Sequence, residues 1–99
     1  MKSLADFEKT LQENEPRPEL PDLLRALWWD AKEEWDKAHD IAQDIHTAEG
    51  SWIHAYLHRK EGDQFNAGYW YRRAGREPFE GTLENEWEEM AGTFLKQQN

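Results

Sequence analysis

Alanine recurs in this chain where a larger side chain would hold two helices apart. Offset by 29 residues, Ala26 falls on Ala55, Glu34 on Asp63 and Ala38 on Ala67, while Leu27, Trp28 and Ile41 fall on Tyr56, Leu57 and Trp70. Small residues near the middle of a helix let a paired backbone approach closely, and flanking aromatics fill the space that remains. The offset therefore predicts two helical hairpins of one design, 20–46 and 50–75.

Apolar residues at three-and-four spacing support helices elsewhere. Leu4, Phe7 and Leu11 mark an N-terminal helix with Ser3 as its cap and Asp6 in its first turn. The segment ENEPRPELP carries three prolines and reads as a linker, completing 1–19. Leu23, Leu24, Leu27, Trp28 and Ala31 form the next stripe. A break at Lys32–Glu34 separates it from Trp35, Ala38, Ile41, Ala42 and Ile45. Gly50 reads as a left-handed stop, and the following helix is expected over 51–60. Gly62 turns the chain, Asp63 caps a helix over 64–74, and Gly75 closes it. Thr82 opens a C-terminal helix, 82–97, with Leu83, Trp87, Met90, Ala91, Phe94 and Leu95 on one side. No segment alternates as a strand would. The expected fold is a single all-α domain over 1–99, with five helices: two stacked antiparallel hairpins and N- and C-terminal capping helices.

The stretch WIHAYLHRKEGDQFNAGYWYRRAG resembles a tetratricopeptide-type hairpin. Ala55 matches the small residue of the first helix in that pattern, Gly62-Asp63 the inter-helix turn, and Ala67, Tyr71 and Ala74 the small, aromatic and small positions of the second. In the first hairpin Ala26, Trp29 and Ala38 agree, but the turn lacks glycine. The repeat is shorter than the roughly thirty-four residues usual for such hairpins. From WDKAHDIAQDI through YWYRRAG the chain also resembles a small bacterial protein family with fungal relatives. Both resemblances imply helical hairpins and no particular activity, because such hairpins are general scaffolds.

Net charge is −9, distributed as −7 over residues 1–50, +3 over 51–76 and −5 over 77–99. That balance argues against nucleic acid as a partner, since phosphate binding needs clustered Lys and Arg. The positive island is Arg59, Lys60, Arg72, Arg73 and Arg76, which suits an acidic partner or the chain's own carboxylates. Absence of Cys excludes disulfides and thiolate sites. No apolar run approaches the length of a membrane span, and the N-terminus lacks the apolar core of a signal peptide, so a soluble, cytoplasmic protein is expected.

Residues 52–75 hold six of the thirteen aromatics, and two functional readings meet there. In the first, the protein is a protein- or peptide-interaction module: Trp52, Tyr56, Arg59 and Lys60 line the concave side of the stacked hairpins, and with Arg73 they bind an acidic partner through aromatic and cationic anchors. In the alternative, His54 and His58, four apart on one helix face, ligate a divalent metal or small ligand, with His39 or Glu61 completing the set. The zinc-protease pattern is broken by Ala55, which stands where its glutamate belongs. His58 and Glu61 are spaced for an oriented imidazole base, yet no nucleophile motif or phosphate loop accompanies them, so no catalytic residue is assigned. A third reading is self-association through the large C-terminal stripe, which suits a homodimer as well as intramolecular capping. Asn66, Trp70 and Arg72 are read as structural, the arginines pairing with acids such as Glu84 or Glu86.

Overall fold

Ser3 opens the first helix of the computed structural model, its hydroxyl accepting a 3.1 Å hydrogen bond from the Asp6 amide. The structure describes residues 3–98; Met1, Lys2 and Asn99, which the 1–99 domain assignment includes, lie outside the described residues. Helix α1 (Leu4–Lys9) runs into a 3-10 turn at Thr10–Gln12. It is followed by α2 (Asp22–Ala31), α3 (Trp35–Gln43), α4 (Ala48–Lys60), α5 (Gln64–Ala74) and α6 (Leu83–Lys96). Among the described residues there are no strands, and none of the helices is long and apolar enough to cross a membrane.

The chain is thus all-α, but with six helices rather than the five expected. The difference is one of counting, since two hairpins and two capping helices make six. The N-terminal segment is a capped helix anchored by buried Phe7, whose ring stacks on Trp87 of α6 at 5.8 Å. The turn at Lys32–Glu34 separates α2 from α3 at the expected break. Trp28 fastens α1 from the other side, its indole N–H donating to the Thr10 carbonyl and hydroxyl at 3.3 and 3.2 Å.

The 29-residue recurrence reappears in backbone geometry. Glu33 takes φ 63° and Gly62, its counterpart, φ 91°. The Glu34 amide donates to the Trp29 carbonyl and the Asp63 amide to the His58 carbonyl, each at 2.9 Å. One turn therefore joins α2 to α3 and α4 to α5, although only the second has the glycine that adopts positive φ without strain. Ala26, Ala38, Ala55 and Ala67 are all buried where the paired helices meet.

Gly50 has a role different from the expected stop. Helix α4 starts at Ala48, not 51, because Thr47 accepts from the Gly50 amide at 3.1 Å and caps the helix there. Gly50 lies inside the first turn, and a Cβ on it would sit 2.2 Å from the Ile45 carbonyl oxygen. Glycine is needed for the tight α3–α4 corner rather than for a left-handed conformation.

Helix α6 packs on α1, α2 and α4. Trp87, Met90, Ala91, Phe94 and Leu95 are buried within the chain, so its apolar stripe is consumed internally. Trp87 also donates its indole N–H to the Leu27 carbonyl at 3.0 Å, tying α6 to α2.

Candidate metal centre

Helix α4 carries two polar clusters on different faces. The first contains most of the residues expected to meet a partner. Trp52 and Tyr56 are only 2% and 3% exposed. Trp52 Nε1 and the Tyr71 hydroxyl donate to Glu86 Oε2 at 3.0 and 2.6 Å, and Arg59 Nη1 donates to Glu86 Oε1 at 2.8 Å. Arg59 Nη2 donates to the Gly81 carbonyl. One turn away, the Tyr56 hydroxyl and Lys60 Nζ donate to the two oxygens of buried Asp30 at 2.7 and 2.9 Å. Burial, reinforced by the neighbouring carboxylates, pushes both phenols above their ordinary pKa and keeps them donors.

In the groove expected to present Trp52, Tyr56, Arg59 and Lys60, both aromatics are therefore buried and both cations are half-buried in pairs with carboxylates of the chain. Helix α6 lies across it and supplies Glu86, which takes Arg59 rather than an α5 arginine. Arg73 alone of that set faces outward, lying over the rings of Tyr69 and Trp70 and donating to the Tyr69 hydroxyl at 3.3 Å. Arg76 stacks on Trp52 at 3.4 Å. Asn66 serves the α5 cap, its amides donating to the Asp63 carboxylate.

The second cluster is built from imidazoles. His54 and His58 share a face of α4 because they lie one turn apart, and α3 brings His39 onto the same face. One ligand atom from each lies within 4.8 Å of the other two. His39 Nε2 and His54 Nε2 are 2.9 Å apart, and His58 Nδ1 is 2.7 Å from Glu61 Oε2. An ionised Glu61 can only accept, so it fixes a proton on Nδ1 of His58. The cluster thus gathers Nε2 of His39 and Nε2 of His54, one donating to the other, with a ring nitrogen of His58 within 4.8 Å of both residues' ligand atoms.

Two indoles wall the cluster. Trp35 stacks on His39 at 4.8 Å and Trp70 on His54 at 3.9 Å, both nearly parallel. Trp35 is held by its own N–H, which donates to the Leu57 carbonyl at 2.8 Å. The setting favours neutral rings. Burial, then the neighbouring His39 and His58, lowers the pKa of His54 to about 4. Burial and His58 likewise lower that of His39, against the opposing pull of Asp40, Glu61 and Asp36. A neutral imidazole is the form that ligates metal.

A tetrahedral zinc ion with bonds of about 2.0–2.1 Å spaces its ligand nitrogens roughly 3.3 Å apart, so the three rings need only small rotations to close on one. Three protein nitrogens leave a fourth position open. Glu61 occupies the place of the carboxylate that commonly orients a metal-bound histidine. The pair expected from sequence, His54 and His58, is thus brought together with His39, one of the two proposed completing ligands. Glu61, the other, stands behind His58.

Beside His54 a cleft of about 470 Å³ opens between the α3–α4 corner and α5. Compared with protein-family models, with curated proteins and with solved structures, the chain finds no match.

Proposed function

We propose that this protein binds a divalent transition-metal ion of the zinc type through His39, His54 and His58, with Glu61 orienting His58. The observation that carries the reading is the convergence of three imidazoles from two helices on one point. Buried side chains of a structural kind meet groups of opposite character, as Glu86 meets Arg59. Here three imidazoles face one another, His39 and His54 sharing a 2.9 Å N–H···N hydrogen bond whose proton a metal would displace, with carboxylates of Asp36, Asp40 and Glu61 near enough to raise the local affinity for a cation. All-nitrogen ligation suits zinc, copper, nickel or cobalt and disfavours magnesium and calcium, which take oxygen.

Equilibrium dialysis of tag-free protein against zinc, followed by elemental analysis, tests this. One metal per chain in the wild type and none in the His54→Gln, His58→Gln double variant is the expected result. No zinc retained by the wild type removes the reading.

A second reading, docking of an acidic protein or peptide, is favoured by the outer face of α5. Phe65 and Tyr69 are 84% and 42% exposed there, with Arg72 and Arg73 beside them. A glutamate-rich peptide should shift the amide resonances of α5, and an Arg72→Glu, Arg73→Glu variant should lose those shifts. Unchanged spectra count against it.

A further inference from the structure

We propose that the cleft beside His54 is a subsite for a small oxyanion, a carboxylate or phosphate monoester, anchored by Arg73 and held against the metal centre. The inference rests on the three-histidine reading above. Its volume, about 470 Å³, is that of a small-molecule site.

Three observations on the lining support it. First, His54 and Trp70 belong to both the cleft wall and the metal centre, so whatever fills the cleft lies against the ligand set. Second, the polar groups of the wall are Gln43, His46, Thr47, Ser51, His54 and Arg73, and no carboxylate contributes, in a chain with 21 acidic residues. Another cleft of about 520 Å³ is lined by Glu8, Asp30, Glu33, Glu84 and Glu88, so acids are not scarce around the cavities of this fold. Third, among the described residues Arg73 has no carboxylate within ion-pairing distance, whereas Arg17, Arg25 and Arg59 each have one. Arg72 and Arg76 share that lack, but only Arg73 lines the cleft; its guanidinium is positioned by the Tyr69 and Trp70 rings, with Nη1 donating to the Tyr69 hydroxyl at 3.3 Å and the Nη2 and Nε edge left to donate. A planar fork of that kind matches carboxylate and phosphate oxygens in a bidentate manner. Thr47 Oγ1 accepts from the Gly50 amide at the α4 cap, which leaves its O–H, the Ser51 hydroxyl and the Gln43 amide as further donors.

On this proposal Arg73 would recognise the charge, and with a metal held by the three histidines an oxygen of the same ligand would have access to its open position. Arg73 contacts none of the three imidazoles through a hydrogen bond, so its removal separates anion binding from metal binding.

The test titrates acetate and methyl phosphate into the cobalt(II)-loaded protein, reading the visible ligand-field bands of the metal and the amide shifts of Thr47 and Ser51. The expected result is saturable change in both readouts, with at least a tenfold loss of affinity in Arg73→Gln and no change in metal stoichiometry. Saturation by methyl phosphate alone or acetate alone identifies which oxyanion is taken. Wild-type spectra that stay constant to high millimolar concentration overturn the proposal, as does binding that Arg73→Gln leaves intact. If cobalt is not retained, the same titration on metal-free protein decides: Arg73-dependent shifts at Ser51 uphold the oxyanion subsite while the three-histidine reading falls, and their absence overturns the subsite too.

Discussion

Glu86 on α6 and His54 on α4 are both buried, and they solve the burial of a polar group in opposite ways. Glu86 is surrounded by donors of the same chain: an indole, a phenol and a guanidinium satisfy both of its oxygens. His54 is surrounded by its own kind, with His39 at 2.9 Å and His58 stacked at 4.9 Å. The first arrangement joins groups of opposite charge and complementary hydrogen-bonding character. The second joins like groups, His39 and His54 sharing one hydrogen bond, and lowers the pKa of both rings. A buried charge met by its complement reads as architecture; buried like groups that converge read as a site for something the chain does not itself supply.

The sharpest way to break this contrast is to remove the centre of each cluster. Glu86→Gln leaves Arg59 without its counter-charge and should cost about 3–5 kcal/mol in chemical denaturation. His54→Gln should cost about 1 kcal/mol, the value of a single neutral hydrogen bond, while abolishing metal retention. Equal losses in the two variants would erase the distinction.

Protonation tests the same contrast without a mutation. In metal-free protein the folded-state pKa of His54 lies near 4, below its unfolded value near 6.5, so the unfolded chain takes up the proton first. Proton linkage at His54 is therefore neutral above about pH 6.5 and destabilises the fold progressively as pH falls toward 4, by roughly 3 kcal/mol at the limit. The difference between wild type and His54→Gln isolates this from the nearby His39, His58, Asp36, Asp40, Glu61 and Arg73. A parallel pH dependence in both would refute the burial of a neutral ring.

Glu61→Gln is subtler. It keeps a hydrogen-bonding group at His58 Nδ1 but loses the charge, and should weaken zinc binding about 10–100-fold with little change in unfolding free energy. A smaller effect still is expected at the first hairpin turn. Glu33 holds φ 63°, and Glu33→Gly should stabilise the fold by about 1 kcal/mol, since its ion pair with Lys60 at 3.5 Å is mostly exposed.

Much of the architecture was legible before the coordinates. The alanine recurrence located both hairpins, and Ser3, Asp63, Thr82 and Gly75 act as the caps their residue types suggest. The role of Gly50 was not legible, because a close backbone approach leaves little trace in periodicity. Of the metal centre, the His54 and His58 spacing was visible within one helix. The contribution of His39 depends on how α3 is set against α4, which spacing alone does not encode. The buried carboxylates were missed because 21 acidic residues look alike in composition. A signal existed: Glu86 lies three after Leu83 and four before Met90, and Asp30 three after Leu27, so each sits on an apolar stripe. Missing them also led Arg59 and Lys60 to be read as available to a partner, when each is paired with a buried carboxylate.

The most direct test of the three-histidine centre is X-ray absorption at the zinc edge of the loaded protein. The account predicts a first shell of four nitrogen or oxygen atoms near 2.0 Å, about three of them imidazoles by their outer-shell scattering. A shell with one imidazole or none, or one dominated by carboxylate oxygens, would contradict it.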